Sequence, residues 1–325
     1  MICALCRHER ELRCSHIIPK FVYAWLKESS GTGFLRFSPN PNQRVQDGLK
    51  KDFLCGDCEL LLSKFETEFA NNIFYPLHQN EQLRLRTGPW FHYKSWCMKF
   101  AVSVSWRCLS VARELGLRHF DANQRRLADQ ALETWRAFLL GQIEHPGVHE
   151  QHMVVLDRLA DHTCDGLPSN VNRYLLRAAE LQPIRTKQSA FIYVKMCRVI
   201  VFGFIHEPEM RWWKGTKLRV RNGQIGGTNI VLPSPLLGYL KSRAELVRKI
   251  DKTISPRQRE KIRLDMEKKL ERVLESESLQ AQLCDYEMLD RMNSFFTPSP
   301  NYLPTPLICP TVVQLPSQSA RRPKF

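Results

Sequence analysis

Long apolar runs are missing from this chain of 325 residues. No stretch approaches the roughly twenty uninterrupted apolar residues that a membrane-spanning helix requires. The most apolar segment, Ile192 to Ile205, is too short and carries Lys195 and Arg198. No apolar leader follows Met1, because Cys3 already opens a cysteine pair, so a cytoplasmic location is expected. Glycine is scarce, at 15 residues. The loop Ser29-Ser30-Gly31-Thr32-Gly33 is too poor in glycine to cradle a phosphate. Walker loop, dinucleotide fingerprint, serine nucleophile elbow and internal repeat are all lacking. Cysteine is not scarce, with 11 residues, but Cys14, Cys97, Cys108, Cys164, Cys197, Cys284 and Cys309 follow no disulfide framework. That scatter fits a reducing compartment.

Acidic residues are the minority, 33 against 48 Lys and Arg, for a net charge of +15. A polyanionic partner is the implication, and the placement of the charge narrows it. Residues 1–80 carry ten Lys/Arg against nine Asp/Glu, whereas residues 183–250 carry thirteen against three. The basic field therefore lies on a later segment, which would hold nucleic acid, with DNA the expected polymer. A basic surface serving solubility alone is the alternative.

Near the start, Cys3-Ala4-Leu5-Cys6 and Cys55-Gly56-Asp57-Cys58 form two C-x2-C pairs. Two residues between cysteines let one turn present both thiolates to a single ion, so Cys3, Cys6, Cys55 and Cys58 are expected to hold structural zinc. After the second pair, Leu61, Leu62, Phe65 and Phe69 recur at helical spacing. Cys55 and Cys58 would then sit at a helix N-terminus, whose free N–H groups favour thiolates. Knuckle, strands and ligand-bearing helix make the layout of a treble clef.

Between the pairs stands Ser15-His16-Ile17-Ile18-Pro19, and Leu54-Cys55-x-x-Cys58-Glu59 follows. On these motifs the first seventy or so residues resemble the HNH endonuclease (ββα-metal) family. The resemblance implies a zinc-stapled nuclease module in which His16 is the general base. Ser15 and Glu59 would occupy the positions holding a catalytic Mg2+ or Mn2+, with Glu66 two turns on as a further carboxylate. Service in bacterial defence is an analogy that travels with this family. Two departures stand out: Ser15 replaces the family's Asp or His, and no Asn stands near Lys50 to orient the base. A non-catalytic treble-clef protein binding nucleic acid or a protein partner is the alternative.

Farther along, a short helix is expected behind Pro19, a strand at Phe34–Phe37, and an end to the zinc helix near Asn71-Asn72. A buried aromatic helix is expected from Pro89 to about Leu115, and another from Asp121 to about Ile143. Pro146-Gly147 breaks the spacing of His145, His149 and His152, which reads as a solvated turn. Strand at Met153–Leu156 and helix at Val171–Leu181 follow. Ala190 to Ile205 fits either one long strand or an apolar helix. Asn222-Gly223 predicts a hairpin that puts Lys217, Arg219 and Arg221 on one face as nucleic-acid contacts. Helices are expected over Pro233–Ile250 and from Pro256 to Ser276, the latter N-capped by Ser255 and suited to a protein partner.

The expected fold class is α+β: a zinc module (1–80), a helical region (81–182), a basic mixed region (183–292) with a small β-hairpin, and a disordered Pro-rich tail (293–325).

Overall fold

The structure, a computed structural model, describes residues 1–80, 83, 88–157, 167–293 and 311–313. It mixes helices with a mainly antiparallel sheet. The chain opens on a knuckle closed by the Ile2–Glu9 bridge and the Cys3 N–H bond to the His8 carbonyl, with Arg7 at φ 63° making the sharp return. Strand β1 (Leu12–His16) pairs antiparallel with β4 (Lys50–Cys55), running from Leu12 opposite Cys55 to His16 opposite Lys50. Between them lie α1 (Lys20–Glu28), behind Pro19, and the hairpin of β2 (Leu35–Phe37) and β3 (Asn40–Val45). β4 runs directly into α2 (Gly56–Phe69). The helical path does not stop at Asn71-Asn72. A π-helical turn (Ala70–Phe74) carries it into α3 (Tyr75–Gln79), where Pro76 sits in the first turn and its missing N–H costs little.

Trp90–Lys94 departs from the expected helix. It is a strand, β5, because its residues alternate exposed and buried and a partner strand lies alongside; α4 begins only at Ser95 and runs to Glu114. α5 (Ala122–Leu139) starts at Asp121 as expected, with a capping box in which Asp121 and Gln124 bond each other's N–H groups. It stops four residues short of Ile143.

Strand β6 (Gln151–Val155) follows, and α6 (Val171–Arg177) ends early because Ala179 opens β7 (Ala179–Arg185). Ala190 to Ile205 is neither one strand nor a helix. It is the pair β8 (Ala190–Met196) and β9 (Val199–His206), turned at Cys197, whose φ is 57°. The Asn222-Gly223 hairpin does not form. β10 (Asn222–Gly226) begins there and pairs antiparallel with β5 instead. α7 (Ser234–Lys252) meets expectation. The 256–276 helix is interrupted: α8 (Pro256–Glu267), capped by the Ser255 hydroxyl, gives way at Lys268-Lys269 to α9 (Leu270–Leu274), then α10 (Glu277–Asn293). The Pro-rich tail expected to be disordered lies outside the described residues, except that Thr311–Val313 forms strand β11.

Seven strands make one sheet in the order β3-β2-β11-β7-β8-β9-β6, with β11 parallel to both β2 and β7. Both faces are covered. Ile192, Val194, Val199 and Val201 join a cluster containing Phe100 and Val104 of α4 and reaching Cys3 and Leu62. Their neighbours Phe191, Tyr193, Ile200 and Phe202 point the other way, onto Trp213 and onto Leu236 and Leu240 of α7.

Candidate functional site

Four thiols converge where the knuckle meets the end of β4. The Ala4 N–H bonds the Phe53 carbonyl at 2.9 Å, which docks the knuckle on the strand leading to Cys55. Cys55 is the N-cap of α2, and Cys58 lies in its first turn. The Sγ atoms of Cys3, Cys6, Cys55 and Cys58 all lie within 4.8 Å of one another, and Cys6 and Cys55 stand 3.8 Å apart without a disulfide. Tetrahedral thiolates about 2.3 Å from zinc sit roughly 3.8 Å apart, so the donor set fits that ion. Burial alone would raise the Cys3 thiol, but N–H groups of Cys6, Cys55 and Leu5 hold it at about 7. Cys58 is pushed up by burial and by the neighbouring thiols. Four sulfurs this close cannot all ionise without a cation between them. Among the described residues this is the one cluster of three or more His, Cys, Asp or Glu side chains within metal-holding range.

His16 ends β1, at the opposite end from the cysteines. Its Nε2 lies 2.8 Å from Oδ1 of Asp47, and that oxygen also accepts the Gly48 N–H at 2.9 Å. Lys50 reaches the other oxygen at 2.6 Å. Burial, which alone would raise the Asp47 carboxyl, is outweighed by the hydrogen bonds of Lys50, His16 and Gly48, so the group is held at about 2. Gly48 is required by space: a Cβ would come within 1.9 Å of the buried Tyr23 ring. The main chain of His16 is gripped separately, its carbonyl accepting from Nη1 of the buried Arg107 at 2.8 Å. With Nε2 occupied by Asp47, Nδ1 is the ring nitrogen left for a substrate or water.

The other expected site residues fall as follows. Ser15 is buried, and its hydroxyl donates to the Arg13 carbonyl at 3.2 Å. As consecutive strand residues, Ser15 and His16 leave β1 on opposite faces. Glu59 lies in the first turn of α2, and its buried Oε1 has no hydrogen-bond partner among the described residues. Glu66 is committed to an ion pair with Arg107. Lys217 pairs with Glu150 at 2.6 Å. The side chains of Arg219 and Arg221 are exposed, while the Arg219 N–H donates to the Tyr93 hydroxyl at 2.9 Å.

Asp47 is the residue that motif reading misses. No Asn stands near Lys50, and the side chain that contacts the His16 ring is a carboxylate in the Gln46-Asp47-Gly48 turn just ahead of β4. The signal available was an acidic residue beside a turn glycine between the two paired strands. His149 and His152 also depart from the solvated turn expected of them. Both are buried, and His152 bonds the Thr216 hydroxyl at 2.8 Å and the Glu150 carboxylate at 3.3 Å.

No family model matches this chain, and no curated protein or solved structure matches it.

Proposed function

We propose that the N-terminal stretch is a zinc-stapled, HNH-like treble clef that hydrolyses phosphodiester bonds, with DNA as the favoured substrate. The observation that carries this reading is the 2.8 Å contact between His16 Nε2 and the Asp47 carboxylate. Asp47 fixes the tautomer with the proton on Nε2, so the Nδ1 lone pair takes the proton of an attacking water. A carboxylate held at about 2 remains anionic and stabilises the imidazolium that forms. Glu59, with its unpartnered buried oxygen, is the side chain that would hold a divalent ion, because Mg2+ is commonly bound through one or two carboxylates plus substrate phosphate. Such an ion would neutralise charge developing on the phosphate. The four cysteines stay out of the chemistry and hold the scaffold.

The test is nicking of supercoiled plasmid by purified protein with Mg2+ or Mn2+ against an EDTA control. His16→Ala is expected to lose at least ~10²-fold, the usual worth of a general base, and Asp47→Asn to fall in the same direction by a smaller factor. Zinc content and melting temperature should hold in both. Full activity in His16→Ala, or loss of its zinc, makes His16 structural and removes the nuclease reading.

A second reading, a non-catalytic treble clef binding nucleic acid or a protein, is favoured by Ser15 turning to its own strand and by Glu66 being spent on Arg107. Exposed Leu264, Leu270 and Leu274 along the 256–276 stretch support a protein contact there. Binding without cleavage under every metal condition would select this reading.

A further inference from the structure

Beyond the module, the ribbon of β5 and β10 presents an outward face that nothing among the described residues covers. Lys94 stands opposite Asn222, His92 opposite Gln224, and Trp90 opposite Gly226, so these side chains share one face of the pair. The face beneath is core: Phe91, Tyr93 and Ile225 are buried. Gln224 Nε2 lies 3.2 Å from the His92 ring, and Trp90 remains 50% exposed, its ring lying over Gly227. Arg219 and Arg221 stand just ahead of β10 with their side chains exposed, on either side of Val220. Lys94 and Arg219 border a cleft of about 550 Å³ that runs from this ribbon to the end of α2. The one carboxylate lining it, Glu68, accepts from Asn72 Nδ2 at 3.0 Å. Lys217 is tied to Glu150, whereas Lys94, Arg219 and Arg221 have no ion-pair partner among the described residues.

Lys94 on this face, with the unpaired and exposed Arg219 and Arg221 just ahead of β10, joins two outward amides and an aromatic ring in a surface suited to a polyanion that also offers hydrogen-bonding edges. The major groove of B-DNA is about 12 Å wide and admits a two-stranded β-ribbon, and Asn and Gln pair bidentately with adenine edges there. We propose that the β5/β10 ribbon is the duplex-DNA contact of this protein. Asn222 and Gln224 face the base edges, and Lys94, Arg219 and Arg221 rest on phosphates. This rests on reading the chain as a nucleic-acid protein; it does not rest on cleavage. In this assignment two arginines of residues 183–250 act together with a lysine from far earlier in the chain, and Lys217, tied to Glu150, is left out of the contact.

The experiment is fluorescence anisotropy of the full chain with a labelled DNA duplex and with the matching single strand, each titrated across a salt series without divalent metal. The triple substitution Lys94→Gln, Arg219→Gln, Arg221→Gln is expected to weaken duplex binding at least about tenfold. It should also flatten the log–log salt slope by up to ~0.9 for each phosphate no longer neutralised. Lys217→Gln should change neither. The charge-keeping pair Arg219→Lys and Arg221→Lys should keep most of the slope, which a misfolded ribbon would not. All positions are exposed, so zinc content and melting temperature serve as the folding control. Unchanged affinity and slope in the triple variant overturn the proposal. Tighter binding to the single strand that disappears in Trp90→Ala overturns it too, since stacking would then replace groove entry. Cleavage is scored separately: ribbon-dependent binding without nicking sinks the nuclease reading alone, and nicking with ribbon-independent binding sinks this one alone.

Discussion

At position 16 the ring and the main chain of one histidine are fixed by different parts of the fold. Asp47 holds the ring from the turn before β4, and Arg107 of α4 holds the carbonyl. Asp47 also has a pH signature. Its folded value of about 2 lies below the ordinary 3.8, so its pairing contributes fully above about 4 and is lost as pH falls towards 2. The cysteine cluster leads to a separate prediction. Elemental analysis should find about one zinc per chain, and Cys55→Ser should unfold the N-terminal stretch, because structural zinc contributes roughly 10–16 kcal/mol in small fingers. A stoichiometry near zero would end the scheme. The cysteines were legible because each pair is a local pattern whose geometry is set by two intervening residues. Asp47 was not, because it reaches His16 across 31 positions through a turn whose direction depends on Tyr23 filling the space beside Gly48.

Helix starts were readable where a capping residue marks them in the sequence. α5 declared its start through Asp121, and α8 through Ser255 and Pro256. The stretch from Ala190 to Ile205 gave no such signal. Both faces of β8 and β9 are buried, so polar residues never mark the period. Only the left-handed Cys197 between them reveals the turn, and cysteine is not a residue that announces one. Asn222-Gly223 misled for the opposite reason: a strong local turn signal was overruled by a strand lying far earlier in the sequence, β5. The close seat of α4 on this sheet is testable. Gly203 lies beneath Ser105, and a Cβ there would come within 2.4 Å of the serine Oγ and 3.1 Å of Gln151 Oε1. Gly203→Ala should therefore cost about 1–3 kcal/mol by overpacking, read as a lower denaturant midpoint with an unchanged slope. A midpoint equal to the parent's would show that α4 can lift off the sheet freely.

Across the whole molecule, part of the basic charge is internal and acts as a fastener. Arg177, at the end of α6, donates to the Leu26 carbonyl and the Ser29 hydroxyl, each at 3.1 Å. Arg198, in the β8–β9 turn, donates from Nη1 to the Leu77 carbonyl at 3.0 Å and pairs with Asp157 at 2.6 Å. Both reach back to the N-terminal stretch, so net charge overstates what the surface offers a polyanion. His78 lies at the centre of this seam. Its Nδ1–H donates to the Phe74 carbonyl at 2.7 Å, its Nε2 accepts the Arg198 N–H at 3.3 Å, and its ring packs 4.4 Å from Trp25. Burial chiefly, with Arg198, Arg177 and Lys195 nearby, pushes it from 6.5 down to about 3. The folded protein thus keeps His78 neutral where the unfolded chain would protonate it. Its stabilising contribution is whole above about 6.5 and shrinks as pH falls towards 3, by up to about 1.4 kcal/mol per pH unit. His78→Gln, which keeps an amide donor and acceptor, should lose stability near neutral pH yet lose less on acidification than the parent. Denaturant melts taken between about pH 7 and pH 4.5 would show the two stability curves converging. Parallel curves would mean that protonated His78 is tolerated in the seam between the cysteine-bearing stretch and the sheet.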